Sequence, residues 1–347
     1  MLPADVAEEA RHSERLGVSV RFEGADWAAI RDRVFGRIDP IAAGGKEYRA
    51  TGSANISLIE GTARFVGERE LDVEGRRITA QHILIAAGSR PTIPPIDGLA
   101  ETGFHTSDSI MRLDDLPPRL GIIGGGFIAV EMGHVFAGLG AQVTIFNRSH
   151  TLLRQHDEEI AARFTEIFGA RDNVELHLGH LPNLVERRDD GIVVHCAGEE
   201  VVVDELLVAT GREPNSDLLD VDRGGLVCRR HGTIEVDEFQ RTGVDGVWAV
   251  GDIANDFQLK HVANRKRPPP SGTSPTRPSS GSATTASYRR PCSAIRRWRR
   301  SGSANSRPRP KGSSTSLAGA TTAVPPTGGR SSTRPRSPRC SSTPPRA

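Results

Sequence analysis

The chain has four cysteines among 347 residues, Cys196, Cys228, Cys292 and Cys340, and no two of them fall at a CxxC or CxxxxC spacing. That excludes both a zinc ribbon and a redox-active dithiol motif as readings of the cysteines. No apolar run is long enough to span a bilayer, and no charged-then-apolar leader opens the chain, so the expectation is a cytoplasmic protein without a membrane partner. Acidic residues are missing from Arg265 onward, where 18 of the 45 lysines and arginines fall. The preceding 264 residues hold the remaining 27 basic side chains against all 43 acidic ones. The formal net charge of +2 therefore averages two chemically different segments. The second, residues 265–347, is Arg, Pro, Ser, Gly, Thr and Ala with scarcely a large aliphatic residue. Such a composition cannot bury enough apolar surface to offset its ordering entropy, which predicts a disordered basic tail. Clusters such as Arg296-Arg297-Trp298-Arg299-Arg300 predict non-specific, salt-sensitive adhesion to nucleic acid.

What is present centres on Leu120–Glu131, LGIIGGGFIAVE. An apolar run ends in a glycine cluster, and an apolar-periodic segment begins at once. This is the strand–turn–helix pattern of a dinucleotide-binding unit. Gly124 allows the tight turn, Gly126 lets backbone approach a pyrophosphate, and Ala129 takes the third small position, where the helix lies against its strand. The helix N-terminus brings free N–H groups and partial positive charge to the phosphates. The helix is predicted from Phe127 to about Leu139, stopped by Gly140, with a strand over Gln142–Phe146. At its end an acid normally grips the ribose of NAD. Here Asn147 and Arg148 stand there, with Arg154 six residues on. Arginine forks suit a 2′-phosphate that an acid would repel, so the reading is NADPH over NADH.

Around this centre the pattern alternates short strands and helices. Helices are expected over Pro3–Leu16, ended by Gly17, and over Asp26–Ile38, where Trp27, Ile30, Val34 and Ile38 recur at core spacing. Strands are expected at Ile56–Phe65, Glu70–Val73, Arg77–Thr79 and, buried, His82–Ala86, followed by Ala87-Gly88. After Arg154 come a helix over about Asp157–Phe168 and strands at Val174–Leu178, Gly191–His195, Glu200–Val203 and Leu206–Ala209. The strand of GVWAVGD (Gly246–Asp252) delivers an acid at its carboxyl end, where open α/β sheets contact ligands.

These blocks together resemble one family, the flavin-dependent pyridine nucleotide–disulfide oxidoreductases. The matching stretches are IAAGSRPTIPP (Ile85–Pro95), HTSDSIMRLDDLP (His105–Pro117), IIGGGFIAVEMG (Ile122–Gly133), LLVATGREPN (Leu206–Asn215), GVWAVGDIA (Gly246–Ala254) and LKHVAN (Leu259–Asn264). Within the family, Asp26–Ala42 and LKHVAN look most like the mycothione reductase branch. The resemblance implies an α/β fold in which a Rossmann-like NADP-binding domain (117–215) is inserted in an incomplete FAD-binding domain (1–116 and 216–264), followed by the tail. It implies that Gly124, Gly126 and Ala129 cradle the NADPH pyrophosphate and that Arg148 and Arg154 hold the 2′-phosphate. Glu131, Gly211 and Arg212 would line the nicotinamide groove. Asp252 would accept a hydrogen bond from the flavin ribityl chain. Gly61–Ala63 would pass the adenine of FAD, the backbone from Leu259 to Val262, including His261, would approach the flavin ring at a helix start, and Gly88 is placed among the cofactor-binding residues.

The chain departs from the family at both ends. The family's first GxGxxG and CxxxxC disulfide have no counterpart here, so Met1 reads as an internal start. The match stops at Asn264, an abrupt break that suggests a shifted reading frame, and the dimerisation domain that makes family members homodimers is not recognisable. The implied activity is passage of reducing equivalents from NADPH through FAD and a protein disulfide to a low-molecular-weight disulfide. With no adjacent cysteines, no catalytic residue and no metal ligand is assigned, and the chain as written is expected to be inactive. The alternatives are a non-catalytic NADPH-binding fragment and a basic-tailed protein that adheres to nucleic acid.

Overall fold

The computed structural model describes residues 1–256; the segment LKHVAN with His261, and the whole basic tail, lie outside the described residues. The chain opens with α1 (Leu2–Arg11), a 3₁₀ turn (Ser13–Leu16) closed by Gly17 at φ +74°, and α2 (Trp27–Ala50). A three-stranded antiparallel meander follows, β1 (Ala63–Gly67), β2 (Glu70–Val73) and β3 (Arg76–Thr79), then the short β4 (Ile83–Ile85), β5 (Ser89–Pro91) and α3 (Leu99–Thr102). The central unit contains β6 (Arg119–Ile123), α4 (Phe127–Leu139), β7 (Gln142–Asn147), α5 (Glu158–Gly169) and β8 (Val174–Leu178). It continues with β9 (Leu184–Arg188), β10 (Gly191–Cys196), β11 (Glu199–Val203) and β12 (Glu205–Val208). β13 (Arg212–Pro214) and β14 (Val247–Ala249) return to the earlier strands, β13 antiparallel to β5 and β14 parallel to β4.

The central sheet is parallel, in the order β12-β6-β7-β8. The middle strand β6 and its neighbours β7 and β12 are largely apolar because both faces are covered, while the edge strand β8 (VELHL) alternates. Leu120, Ile122, Val143, Ile145 and Leu207 point to the face packed by Val130 and Phe136 of α4 and by Phe164 and Phe168 of α5. Ile123, Phe146, Leu206 and Val208 point to the other face, against Val185, Ile192, Val194 and Val203 of the β9–β11 sheet and Leu99 of α3. His105 adds to the edge of β12, donating its N–H to the Leu206 carbonyl at 2.7 Å and accepting from the Val208 N–H at 2.8 Å. Segment 1–116 is thus shared between cores: Leu99, Ile110 and Trp27 belong with the central sheet, whereas Phe65 and Ile85 pack with Val221, Leu226, Ile234, Val247 and Ile253 in a separate core.

Four local expectations are corrected. The second helix does not stop at Ile38 but runs through Pro40 to Ala50. Only Trp27 of its apolar series is fully buried; Ile38 is 49% exposed. Residues 56–62 are not strand, and Ile56 and Leu58 are exposed. The HILIA strand shortens to three residues, and Leu84 at its middle is 54% exposed rather than buried. β9 has no counterpart among the expected strands; its alternation is masked by the polar Glu186-Arg187-Arg188.

α1 is fastened directly onto α4. A Cβ on Gly138 would come within 2.8 Å of the Ala4 methyl, so this glycine lets the helices meet. Across that contact Arg11 donates to the Gly138 carbonyl at 2.7 Å, and His134 Nε2 donates to Asp5 Oδ1 at 2.9 Å. Arg171 pairs with Glu8 and donates to His134 Nδ1 at 3.3 Å. Both ring nitrogens are committed in a neutral imidazole, one accepting and one donating. Burial, the largest influence, and the nearby Arg171 outweigh Asp5 and hold the His134 pKa below its ordinary 6.5. The unfolded chain therefore binds the proton more readily, and stability attributable to this contact is present above about pH 6.5 and is lost as pH falls through the lower folded value. Hydrogen exchange of the α1 amides is expected to accelerate, after correction for intrinsic rates, as pH drops below that ordinary value. His134→Gln should flatten that pH dependence.

Candidate functional site

β6 ends at Gly124, which has φ +126° and donates its N–H to the Phe146 carbonyl of β7 at 2.8 Å. A Cβ there would lie 2.3 Å from the Ala209 carbonyl oxygen. The turn is therefore wedged between the carboxyl ends of β7 and β12, the place where the strand order reverses direction. Gly126 is the N-cap of α4, with no side-chain cap of its own. A Cβ on Gly126 would meet nothing within 4 Å. The positive end of the α4 dipole consequently opens onto free space, the arrangement that receives a phosphate. Ala129 is fully buried on the sheet-facing side of α4, and Glu131 is half-buried one turn in.

Residues 148–156 fold back over this turn. Leu153 donates its N–H to the Gly125 carbonyl at 2.7 Å and holds φ +56°, a left-handed conformation that a leucine adopts only under constraint. The Leu152 N–H is taken by Thr165 Oγ1 of α5 at 2.9 Å. The Asn147 amide donates to the carbonyls of Ser149 and Thr151 at 2.9 and 3.0 Å. Arg148 and Arg154, at either end of the loop, are exposed. Neither makes a side-chain hydrogen bond or ion pair among the described residues.

A second group gathers where β13, β5 and the end of β14 meet. Gly211 has φ +143°, and its carbonyl accepts from the Thr92 N–H at 3.0 Å. Arg212 donates from Nε to Ser89 Oγ at 2.9 Å, from Nη2 to the Ser89 carbonyl at 2.6 Å and from Nη1 to Ser107 Oγ at 3.3 Å. Ser89 Oγ in turn donates to Asp252 Oδ2 at 3.0 Å. Gly88, at φ +68°, closes the group through its carbonyl, which accepts from Asn215 N–H at 3.1 Å. Gly88, Gly211, Arg212 and Asp252 are thus brought together. Ala63 is not among them; it begins β1, paired with Val73 in the antiparallel meander. Ser89, which joins Arg212 to Asp252, carries no sequence signal, and neither did the inward orientation of Asn147.

The donor set fits one dinucleotide better than two. Among the described residues, the strand–glycine turn–helix at 119–139 is the single cradle of its kind, and β4 and β14 form a separate two-stranded parallel sheet whose Trp248 is also bridged to Arg241. The residues fit the diphosphate of one nicotinamide dinucleotide; they do not by themselves complete a pyrophosphate site for FAD. Cys196 is buried and Cys228 exposed, both as free thiols. No helix among the described residues is long and apolar enough to cross a membrane.

Comparison with known proteins accords with this geometry. The pyridine nucleotide-disulphide oxidoreductase profile matches residues 7–266. Mycothione reductase of Mycobacterium tuberculosis is 40% identical over 271 residues, covering 76% of this chain and 58% of the relative. Glutathione reductase of Burkholderia cepacia is 34% identical over 236 residues, covering 68% of this chain and 51% of the relative. Among solved structures, the HOCl-induced flavoprotein disulfide reductase RclA from Escherichia coli superposes with a TM-score of 0.65 at 27% identity, covering 77% of this chain and 59% of that one. The chain spans 58% or less of these curated relatives. Members of this family bind FAD and NAD(P)H. With its parallel sheet, its glycine turn and three quarters of its length matched, the chain belongs to the pyridine nucleotide-disulfide oxidoreductase family and is similar to mycothione reductase.

Proposed function

We propose that this chain is the NADPH-binding part, with a portion of the flavin-binding part, of a disulfide reductase of the mycothione reductase type. The observation that carries the reading is the open, uncapped start of α4 behind Gly124 and Gly126, with Asn147 and two unpaired arginines where an NAD enzyme places an acid. In this reading Gly124, Gly126 and Ala129 receive the pyrophosphate, Arg148 and Arg154 the 2′-phosphate, and Glu131, Gly211 and Arg212 face the nicotinamide end. Asp252, with Gly88, supplies what this chain offers to FAD, and Ala63 stands apart from them in the antiparallel meander. FAD, when bound, supplies a two-electron carrier between the nicotinamide and a disulfide. The substrate of the complete reductase is a low-molecular-weight disulfide of a reduced cytoplasmic thiol pool; its relatives are homodimers through a dimerisation domain that is not recognisable in this chain. The domain limits proposed are 1–116 and 216–264 for the flavin part and 117–215 for the NADPH part.

The cysteines set the limit of this activity. Thiol–disulfide exchange needs a thiolate with a resolving partner. Cys196 is enclosed in the core, where burial pushes its thiol up, and the burial around Cys228 does the same. The 347-residue chain alone accordingly binds NADPH without reducing disulfides. The test uses the purified full chain. NADPH is expected to bind more tightly than NADH, with no flavin band in the visible spectrum and no disulfide turnover. Equal affinity for the two coenzymes would overturn the NADPH assignment. Turnover of a disulfide with a bound flavin band would overturn the inactivity.

A further inference from the structure

Asn147 occupies the position next to the adenosine ribose in nucleotide-binding folds of this kind, and its side chain does not face outward. It is 8% exposed. Both atoms within hydrogen-bond reach of its terminal nitrogen are carbonyl oxygens, of Ser149 and Thr151, which identifies that atom as the NH₂ group and spends both of its protons inside the loop. The same side chain fills the space beside Gly125, where an added Cβ would lie 2.5 Å from the Asn147 amide. Gly125 is in turn held by Leu153 through its carbonyl. One amide therefore links the pyrophosphate turn, the loop bearing Arg148 and the return at Leu153 just before Arg154.

We propose that Asn147 is a positioning residue for coenzyme selection: it pins loop 148–154 to the Gly125 turn, so that the arginines are held in place by an internal donor. This rests on the NADPH reading above. An acid at 147 would then not convert the chain to NADH. A carboxylate in that site offers no proton to two carbonyl oxygens about 3 Å away, and a buried acceptor facing acceptors is strongly disfavoured. The ribose would gain nothing, because the side chain points into the loop.

The test measures affinity of the full chain for NADPH and NADH, with the 2′,5′-ADP and 5′-ADP pair as fragments, in wild type, Asn147→Ala and Asn147→Asp, together with thermal midpoints. Asn147→Ala is expected to lower NADPH affinity about 10- to 100-fold while NADH affinity changes less than about 3-fold, since charge-assisted contacts depend on placement and the glycine turn persists. Asn147→Asp should lose NADPH affinity at least as far and gain none for NADH. A simply structural role would lower the midpoint and leave the NADPH-to-NADH ratio unchanged, and that result overturns the proposal. So does a gain in NADH affinity in Asn147→Asp. If Asn147→Asp does not fold, the ratio in Asn147→Ala decides alone. Wild type without preference for NADPH would defeat the underlying reading instead, whatever the variants do.

Discussion

Gly124→Ala is expected to destabilise the coenzyme half of the molecule strongly, whereas Gly126→Ala, two residues on, leaves the fold standing and weakens coenzyme binding. The difference follows from what a methyl group would meet. At 124 the backbone sits at φ +126°, which costs an L-residue about 1–3 kcal/mol. The new Cβ would also lie 2.3 and 2.6 Å from the carbonyl oxygen and carbon of Ala209. Those are backbone atoms at the end of β12, so relief requires two central strands to separate, at about 1–3 kcal/mol more. The combined loss, roughly 2–6 kcal/mol, is a large fraction of a domain stability of about 5–15 kcal/mol. At 126 the backbone is extended, φ −85° and ψ −168°, and the methyl would enter empty space. The cost to the fold is about 1 kcal/mol or less, the difference between glycine and alanine at a helix N-cap. That empty space is where the diphosphate would approach the helix, and displacing it from charge-assisted N–H donors predicts a loss of about 10- to 100-fold in NADPH affinity. Urea denaturation followed by circular dichroism, with coenzyme titration on the same samples, separates the two. A wild-type midpoint for Gly124→Ala would mean that the turn is not wedged between β7 and β12.

Backbone demands of this kind are what made the centre of the chain readable. Glycine turn, Ala129 and Gly140 each answer a local steric requirement, and the helix expected from Phe127 to Leu139 has those bounds in the structure. The periphery was less legible because distant contacts override local signals. Pro40 removes one helix N–H and should end α2. The helix nonetheless continues, and beside that point Arg112 makes two bonds to Asp39, at 3.1 and 2.8 Å, and lies over the Phe35 ring at 3.8 Å. Trp27 likewise reads as one apolar residue in a series, but it is fixed by its indole N–H donating to the Leu113 carbonyl and by its ring 5.2 Å from Phe136. β9 escaped notice since its partner is a hairpin that covers the far face of the central sheet, so Val185 alone of its five residues is fully buried. In the candidate site, the residue types were readable and their orientation was not. Nothing in the sequence says that Asn147 turns inward, or that Ser89 ties Arg212 to Asp252.

The arginine pair carries the other large effect. Arg148 and Arg154 are exposed and make no ion pair among the described residues, so replacing both with alanine should leave the unfolding free energy within about 0.5 kcal/mol of wild type, as for surface sites without structural contacts. Most other arginines around the central unit are differently placed: Arg119 is committed to Asp204, Arg188 to Glu186 and Glu200, and Arg171 to Glu8. Two guanidinium groups without partners, on a loop pinned to the pyrophosphate turn, are a standing positive field with no internal use. A hydrogen bond to a charged group contributes about 1.5–3 kcal/mol, so each arginine lost from a 2′-phosphate weakens binding about 10- to 100-fold. The double variant should lose between about 100- and 10,000-fold, less than the product of the singles where both arginines share one phosphate. NADH, which lacks that phosphate, should bind as before. Titration with NADPH and NADH at two salt concentrations is the measurement, and the wild-type preference for NADPH should shrink as salt rises, because exposed charges are screened. Equal losses for both coenzymes in the double variant would show that the arginines support the loop rather than the phosphate, and the preference for NADPH would then have to come from another part of the chain.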